Sequence, residues 1–503
     1  MAFEPVYEQI NYNLEQGNVK EQIKVEARTD VLSEEVQKVL SVNAFIAMGD
    51  CQTANGKAEY NGAVTFFISY VDQEGQIKKV ECGAELRGVI QNQQIKEGCA
   101  LELDTILDKV EWTLSGVKLC VNAIVTISAE ITHCNQLSAL VGGEGVISKS
   151  QELSCPKSLG IRQGVYPLVE QFDLSYQVKE VLSQRIKAVI TAVQCGVGSI
   201  IVDGEALLSI IMLQNSSKSG IIKENRAIPF RMEIDCEEAM PNMTATATVK
   251  ERSLKTDVSV DAQTGQSTVS ISAQLQFSGE AFSTTQISVV DDCFCTDTEV
   301  EIEKQSLPYT VQLEQRCFSF NVGGRAFVEE LPVGATLLAV CDERAEVVEK
   351  QCEGEYIKVT GILTANAIFF DGESGYFSRS AQTPFEIKEL LDNANDLQTK
   401  VSLIADKGRA RIISLTEIDL EAEIKACVKT SKNYTAQTIK EVRVLDQKRV
   451  CQSAISVYIA REGEELWSLA KRLNVSPEKL IETNKDLNFP LSGKERIVIY
   501  RQK

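Results

Sequence analysis

The most informative stretch for the fold is Tyr60-Asn61-Gly62-Ala63-Val64-Thr65-Phe66-Phe67-Ile68-Ser69-Tyr70, because its pattern occurs three times in the chain. The second copy begins Val202-Asp203-Gly204 and the third begins Val359-Thr360-Gly361. In each copy the glycine precedes an apolar, strand-like run, and a turn-rich segment follows it. A bulky apolar residue then comes at a similar distance from each glycine: Leu86, Phe230 and Phe385. This recurrence predicts three copies of one β module.

A second phrase supports duplication. Val36-Gln37-Lys38-Val39-Leu40 recurs as Val178-Lys179-Glu180-Val181-Leu182, and in both copies the first valine lies 26 residues before the glycine (62 − 36 and 204 − 178). The third copy is looser, because Val328-Glu329-Glu330-Leu331-Pro332 lies 33 residues before Gly361 (361 − 328). That difference predicts a loop about seven residues longer in the third module, from the same subtraction.

Period-two alternation continues after each glycine strand, in residues 121–127, 268–275 and 418–424. Such alternation is typical of strands with one buried face, and the frequent Val, Ile and Thr residues fit a pleated surface. A short helix is expected at Phe385 to Leu391. We interpret the recurrent glycine as the mark of a bulge or a crowded strand crossing, in preference to a site of ligand approach.

Length and charge limit the function. A chain of 503 residues is expected to hold about three or four domains. The net charge of −19 would repel a phosphate backbone, so no nucleic-acid partner is expected. The N-terminus lacks a basic stretch followed by an apolar run, and the longest apolar runs are too short to span a bilayer as a helix. These features predict a cytoplasmic protein without a membrane span.

The 15 cysteines are scattered and show no Cys-x-x-Cys spacing; the closest pair is Cys293-Phe294-Cys295. A structural zinc site usually has paired ligands, so no metal is expected. Buried, reduced thiols are the favoured interpretation. Oxidative cross-linking in a late assembly is the alternative, and nothing in the spacing selects it.

The pattern changes from Val457 onward. Residues 457–460 are typical of a strand, and Leu466, Leu469, Ala470 and Leu473 follow at helical spacing. Ser476-Pro477-Glu478 is a typical helix start, with a serine N-cap and a proline in the first helical position. A final strand is expected at residues 496–500. The predicted order is therefore strand, helix, helix, strand, and Leu466, Trp467, Leu469 and Leu480 are expected in the core of this unit.

This stretch resembles a LysM domain through Tyr458, Gly463, Leu466-Trp467-Ser468-Leu469-Ala470, Leu480, Asn484 and Gly493. The resemblance implies a groove for N-acetylglucosamine polymers such as peptidoglycan. The groove positions would be Gly463, Glu464, Glu465 and Leu466 on one side, and Asn488, Phe489, Pro490 and Leu491 on the other. The sequence departs from the family there: Gly-Glu-Glu-Leu replaces the usual Gly-Asp-Thr-Leu, and Tyr500 replaces the usual closing proline. A glycan ligand and a protein ligand therefore both stay open.

Three such β modules followed by one LysM domain resemble the SipL-type spore-coat morphogenetic proteins of clostridia, whose repeated module is called the SPOCS domain. The resemblance covers nearly the whole chain. It implies a non-enzymatic scaffold, made in the mother cell and recruited to the forespore surface. Its expected partners are the coat-basement ATPase, stage IV sporulation protein A, bound partly through the LysM domain, and other coat proteins. No cofactor is implied.

The enzymatic alternative is a LysM-bearing wall hydrolase. The single histidine, His133, is adjacent to Cys134, and neighbouring residues on a strand point to opposite faces, so the two cannot form a dyad there. No phosphate-binding loop is present. A carboxylate pair cannot be recognised among 71 acidic residues. A deep polar cleft that gathers carboxylates from two of the large units would favour this alternative.

The sequence thus predicts a mainly β chain of three tandem antiparallel β-sandwich-like modules followed by a small βααβ LysM domain. The expected boundaries are 1–150, 151–295, 296–450 and 455–503. We expect no catalytic residue, and recognition by surfaces is the predicted mechanism.

Overall fold

The computed structural model describes residues 4–97, 99–115, 118–215, 220–261, 263–296, 298–392, 394–448 and 455–500. The strands up to residue 448 form three groups of six, and each group makes two antiparallel three-stranded sheets. The first group contains β1 (Glu4–Leu32), β2 (Val36–Ala54), β3 (Lys57–Asp72), β4 (Ile77–Gln91), β5 (Ala100–Ser115) and β6 (Lys118–Glu144). Its sheets have the strand orders β1-β6-β5 and β2-β3-β4.

The other two groups repeat this topology. The second contains β7 (Ile147–Leu174), β8 (Val178–Cys195), β9 (Ser199–Gln214), β10 (Ile221–Asp235), β11 (Thr244–Val260) and β12 (Ser267–Phe294). The third contains β13 (Thr298–Phe327), β14 (Thr336–Glu353), β15 (Tyr356–Asp371), β16 (Gly375–Leu390), β17 (Gln398–Ile412) and β18 (Glu417–Lys448). Their sheets are β7-β12-β11 with β8-β9-β10, and β13-β18-β17 with β14-β15-β16. In each module both sheets contribute to one apolar core, so the predicted fold class is confirmed.

The recurrent glycines lie where strands cross closely. Gly62, Gly204 and Gly361 are the direct strand partners of Leu86, Phe230 and Phe385. A Cβ on any of the three would come closer than 3.0 Å to a backbone carbonyl oxygen of the other neighbouring strand. On that strand the register shifts directly after the residue opposite each glycine: Met48, Ile190 and Val347. Both elements of the interpretation, the bulge and the crowded crossing, are therefore confirmed.

The longer loop expected in the third module is present, in the connection before β14. That connection has eight residues (328–335), whereas the connections before β2 and β8 have three each (33–35 and 175–177). The strand register itself is shared, because Met48, Ile190 and Val347 each lie 14 residues before their glycine (62 − 48, 204 − 190 and 361 − 347). The phrase at 328–332 precedes β14, and its Val328 and Leu331 amides bond to the carbonyls of Thr416 and Leu415. A short apolar phrase can thus pack in the core of a module although it lies before the strand and not at its start.

The helix expected at Phe385 to Leu391 is absent, because residues 385–390 form the end of β16. Phe385 and Ile387 are buried while Glu386 and Lys388 are exposed, which is the alternation of a strand. Each residue of this segment pairs with β15, from Gly361↔Phe385 to Tyr356↔Leu390. Pairing with a neighbouring strand overrides the local helical preference here.

The three modules pack around one another instead of extending as a line. In each module two long paired strands continue beyond the sandwich as a two-stranded ribbon. The pairs are β1 with β6, β7 with β12, and β13 with β18. The ribbons begin at the register shifts after Glu15, after Glu280 and after Gln312. We call these three two-stranded ribbons the stalk. They share apolar clusters to which every module contributes: Ile10, Ala139, Leu153, Val289, Leu307 and Ala436, and then Leu140, Val290, Cys293, Ile439 and Val442.

The modules also meet on their other sheets. One apolar cluster there combines Leu40, Leu182 and Ala339 with neighbours from all three modules. Beside it, the carboxylate of Glu343 in the third module is 2% exposed and contacts Lys223 and Arg185 of the second, the latter at 3.5 Å. The Arg185 guanidinium also donates to the Glu343 carbonyl at 2.7 Å. These contacts join the three modules into one body.

The chain ends in an antiparallel pair of strands with two helices between them: β19 (Ile455–Ile459), α1 (Leu466–Leu473), α2 (Pro477–Thr483) and β20 (Arg496–Tyr500). The predicted βααβ order is confirmed. Ser476 caps α2 by accepting the Lys479 amide at 3.3 Å. Asn484 holds the second helix on β20 through two hydrogen bonds of 2.8 Å with the Val498 backbone. In the described part of the chain, neither α-helix has the length and apolar character needed to cross a bilayer.

Candidate functional site

The βααβ unit caps the tip of the stalk through its first helix. The Trp467 ring lies edge-on to the ring of Phe294 at the end of β12, with 5.4 Å between centroids and 65° between planes. The Trp467 indole N–H donates to Asp292 at 2.8 Å. The sequence placed Trp467 in the core of the unit. It is instead half-buried at the boundary, while Leu469 and Leu480 are buried in the core as expected.

Two further contacts fix the unit on the stalk. The Lys471 ammonium group donates to the other carboxylate oxygen of Asp292 at 2.5 Å. The side-chain amide of Asn474 donates to the Thr296 carbonyl at 2.7 Å. Burial pushes the pKa of Asp292 upward, but the hydrogen bonds from Lys471 and Trp467 outweigh it and leave the pKa below the usual value. Charge and ring packing therefore set the orientation of the unit.

The structure brings the two loops of the predicted groove together. The Gly463 amide donates to the Leu491 carbonyl at 2.8 Å, and the Leu491 amide donates back to the Glu464 carbonyl at 3.0 Å. Gly463 has φ +80°, a left-handed conformation that favours glycine. These reciprocal backbone bonds latch one loop to the other, so the backbone groups that form them are already paired.

Glu464 is an internal residue of the unit. Its carboxylate accepts the Tyr458 hydroxyl at 3.1 Å and the Arg461 amide at 2.9 Å, and it forms an ion pair with Arg472. Burial pushes the pKa of Glu464 upward, but the Arg461 amide and Arg472 outweigh it and hold the pKa below its usual value. A charge change at Glu464 would disturb this network as well as the groove.

The remaining groove positions differ in exposure. Leu491 is buried, and Leu466 and Phe489 are half-buried against the core of the unit. Four of the groove residues are exposed to solvent: Gly463, Glu465, Asn488 and Pro490. Glu465 is the N-cap residue of α1 and makes no side-chain capping bond, so it can be changed with little effect on the fold.

Sequence reasoning missed an apolar face beside the groove. The outer side of the two-stranded sheet carries Ile455, Val457 and Ile459 on β19 and Val498 and Tyr500 on β20, with the exposed Arg496 at its edge opposite Ile459. Ile455, Val457 and Ile459 are 59%, 60% and 63% exposed. We call these five residues the outer stripe. Its signal was present in the sequence, because residues 455–460 are apolar at nearly every position, which gives both faces of the strand apolar side chains.

A polar cavity of about 210 Å³ lies where the three modules meet. It gathers Glu102 and Glu130 of the first module and Glu280 of the second, facing Lys400 and Lys429 of the third. Lys400 forms an ion pair with Glu130, and Lys429 lies 3.4 Å from Glu102. Burial pushes the pKa of Glu102 upward, but the two lysines outweigh it and lower the pKa. Two of the three carboxylates are therefore neutralised.

Glu280 differs from the other two carboxylates of the cavity. Among the described residues, the ion pairs of Lys400 and Lys429 involve Glu102 and Glu130 and not Glu280. Burial raises its pKa, and a hydrogen bond from Ser158 only partly opposes that rise. A buried carboxyl with a raised pKa is the type of group that a general acid requires. The cavity is thus a place where the enzymatic alternative could operate.

The other candidates from the sequence add little. The backbone of His133 pairs with Leu14 in the ribbon of β1 and β6, while the side chains of His133 and Cys134 lie outside those described. Within the described residues, no group of three His, Cys, Asp or Glu side chains is arranged to hold a metal ion.

Comparison with known proteins gives no relative. No family model, no curated protein and no solved structure matches this chain.

Proposed function

We propose that the chain is a non-enzymatic scaffold of spore-coat assembly. It is made in the mother cell and reaches the forespore surface by binding the coat-basement ATPase, stage IV sporulation protein A, partly through its LysM-like unit. The three β modules supply contact surfaces for other coat proteins.

The observation that carries this proposal is the contrast between the groove and the outer stripe. The groove carboxylate of Glu464 is already bonded to Tyr458, Arg461 and Arg472, and the loop backbones bond to each other, so few groups are left for sugar hydroxyls. In the adjacent stripe four of the five apolar side chains, those of Ile455, Val457, Ile459 and Tyr500, are exposed, and such patches are typical of protein–protein contacts. A protein ligand is therefore favoured over a glycan.

The position of the unit supports the same proposal. It lies at the tip of the stalk, held there by Trp467 and Lys471 on α1, while the outer stripe is on the opposite side of its small sheet from the helices. A rigid body with an adhesive unit at one end suits a scaffold that must be recruited to a surface. The body then remains available for further contacts.

The test uses the full chain and the purified coat ATPase. We expect Val457→Asp to abolish co-purification, because it places a charge within the stripe, whereas Glu465→Lys at the groove should leave capture unchanged. Val333→Asp is the matched control, since Val333 is 84% exposed but lies far along the chain in the segment before β14. Capture that survives Val457→Asp and fails with Glu465→Lys would contradict the role of the stripe.

A second candidate is a peptidoglycan-binding protein or wall-associated hydrolase, favoured by the three carboxylates in the central cavity. Pelleting of the full chain with peptidoglycan tests binding, and zymography on cell wall tests hydrolysis. Clearing of the gel by the wild type and its loss in Glu280→Gln would support the hydrolase and overturn the scaffold. Imaging of a fluorescent fusion during sporulation tests the proposed location independently of either assay.

A further inference from the structure

Two cysteines of the third module face each other across neighbouring strands. Cys317 on β13 and Cys427 on β18 are direct register partners, and their Sγ atoms are 2.7 Å apart. That distance lies between a sulfur–sulfur bond of about 2.0 Å and an ordinary non-bonded contact. Opposed residues of an antiparallel pair have Cα atoms about 4.5–5.5 Å apart, within the range that a disulfide spans. We call Cys317 and Cys427 the thiol pair.

The thiol pair lies on the face of β13 and β18 that is turned toward the second module. The Cys427 thiol points to the Ile190 carbonyl at 3.9 Å. Nearby, Lys425 forms an ion pair with Glu205 at 3.3 Å. Both thiols are half-buried, so a small oxidant can reach them while the strands hold the two sulfurs in place.

The two thiols are also chemically unequal. The hydrogen bond from the Cys427 thiol and the nearby charge of Lys425 outweigh burial and lower the pKa of Cys317, while the pKa of Cys427 is raised. By contrast, burial raises the pKa of the Cys82 and Cys293 thiols to about 11. Because the thiolate is the nucleophile, Cys317 is the better attacking group and Cys427 the resolving one.

We propose that Cys317 and Cys427 form a redox modification site that takes a low-molecular-weight disulfide as its oxidant and closes to an intramolecular disulfide. The Cys317 thiolate attacks one sulfur of the oxidant, a mixed disulfide forms and one small thiolate leaves. Cys427 then gives up its proton to that thiolate, and its sulfur attacks Cys317 Sγ and expels the second small thiolate. The second small thiolate takes up the proton that Cys317 released on ionising. The two thiols of the protein are oxidised, and one small disulfide is reduced to two small thiols.

The product would staple β13 to β18 at the seam between the second and third modules. It would remove the Cys427 contact with the Ile190 carbonyl, because the S–H donor is lost. This inference does not depend on the proposed function, since it follows from the two strands alone. The register of β13 and β18 identifies one pair among the 15 cysteines, whereas the spacing of the cysteines in the sequence could not.

The experiment treats the reduced full chain with oxidised glutathione and maps its peptides without reduction. Trypsin cleaves after Arg316, Arg325, Lys425 and Lys429, so each thiol lies in a peptide with no other cysteine. We expect the peptides 317–325 and 426–429 to be linked, and the linkage to disappear with dithiothreitol. The denatured product should titrate two fewer thiols than the 15 of the reduced chain.

Variants test the order of attack. Cys317→Ser should abolish the linked peptide, and Cys427→Ser should trap glutathione on Cys317. Cys352→Ser is the matched control, because Cys352 is also half-buried on a strand of the third module and should leave the linkage intact. Glutathione on wild-type Cys317 without the linked peptide, or a linkage no more abundant than those of other cysteines, would overturn the proposal. The wild-type map decides this even where a variant fails to fold.

Discussion

Two seams of this molecule are built from charged side chains, and they differ in burial. At the seam between the second and third modules, Glu343 is almost completely buried and contacts both Lys223 and Arg185. At the seam between the stalk and the βααβ unit, Asp292, Trp467 and Lys471 are only half-buried. Removal of one partner from a buried ion pair is far more costly than from an exposed one. The interface between the second and third modules therefore holds permanently. The interface between the stalk and the βααβ unit can open without unfolding the three modules.

The strongest test of this contrast is Glu343→Ala. It would leave Lys223 buried without the Glu343 carboxylate and Arg185 with the more distant carboxylate of Asp406, at 3.9 Å. We expect the free energy of unfolding to fall by about 3–5 kcal/mol. Chemical denaturation measures the change. Glu346→Ala, three positions along the same strand and exposed, is the matched control and should change stability by less than about 0.5 kcal/mol. Equal effects of the two variants would show that the buried seam is not special.

Trp467→Ala should act on the second seam alone. It removes the ring contact with Phe294 and the hydrogen bond to Asp292, so we expect the docking of the unit to weaken by about 2–3 kcal/mol. Hydrogen exchange should rise in residues 455–500 and at the stalk tip, while the sandwich cores keep their protection. A fall in protection across the cores would mean that the unit and the body unfold together.

Acid should open the same seam. The pKa of docked Asp292 lies below its ordinary value of 3.8, so the docked state binds the proton less tightly than the undocked state does. Docking is therefore fully stabilised above about pH 4 and is lost as the pH falls through the lowered pKa. Tryptophan fluorescence of Trp467 follows the change, with Asp292→Asn as the variant that should remove most of the pH dependence below about pH 4. An unchanged profile in that variant would assign the effect to other carboxylates.

Glu465→Lys should have the smallest effect. Glu465 is exposed and makes no capping bond, so we expect its stability effect to stay below about 0.5 kcal/mol. Glu464→Lys, its neighbour in the groove, should destabilise the unit more, because three internal partners of the carboxylate are lost. Thermal melts of the two variants compare them directly. A larger loss in Glu465→Lys would contradict the internal role of Glu464.

The helix predicted at 385–391 is wrong because its pattern was read locally, whereas pairing with β15 makes the segment a strand. The glycine pattern succeeded because crowding against a neighbouring strand leaves no room for any other residue, and so the constraint is visible at the position itself. In the βααβ unit, Leu469 and Leu480 were predicted as core because helical spacing reports one apolar face.

The sequence by itself determined the three β modules, the close strand crossings at Gly62, Gly204 and Gly361, and the βααβ order of the C-terminal unit. Each of these depends on local periodicity or on a steric constraint that a single residue records. Only the tertiary structure decided that the modules pack around a shared stalk, that Trp467 joins the unit to Asp292, and that Cys317 faces Cys427. Those contacts join residues far apart in the chain, and their partners are set by strand register and module packing, which leave no periodic trace in the sequence.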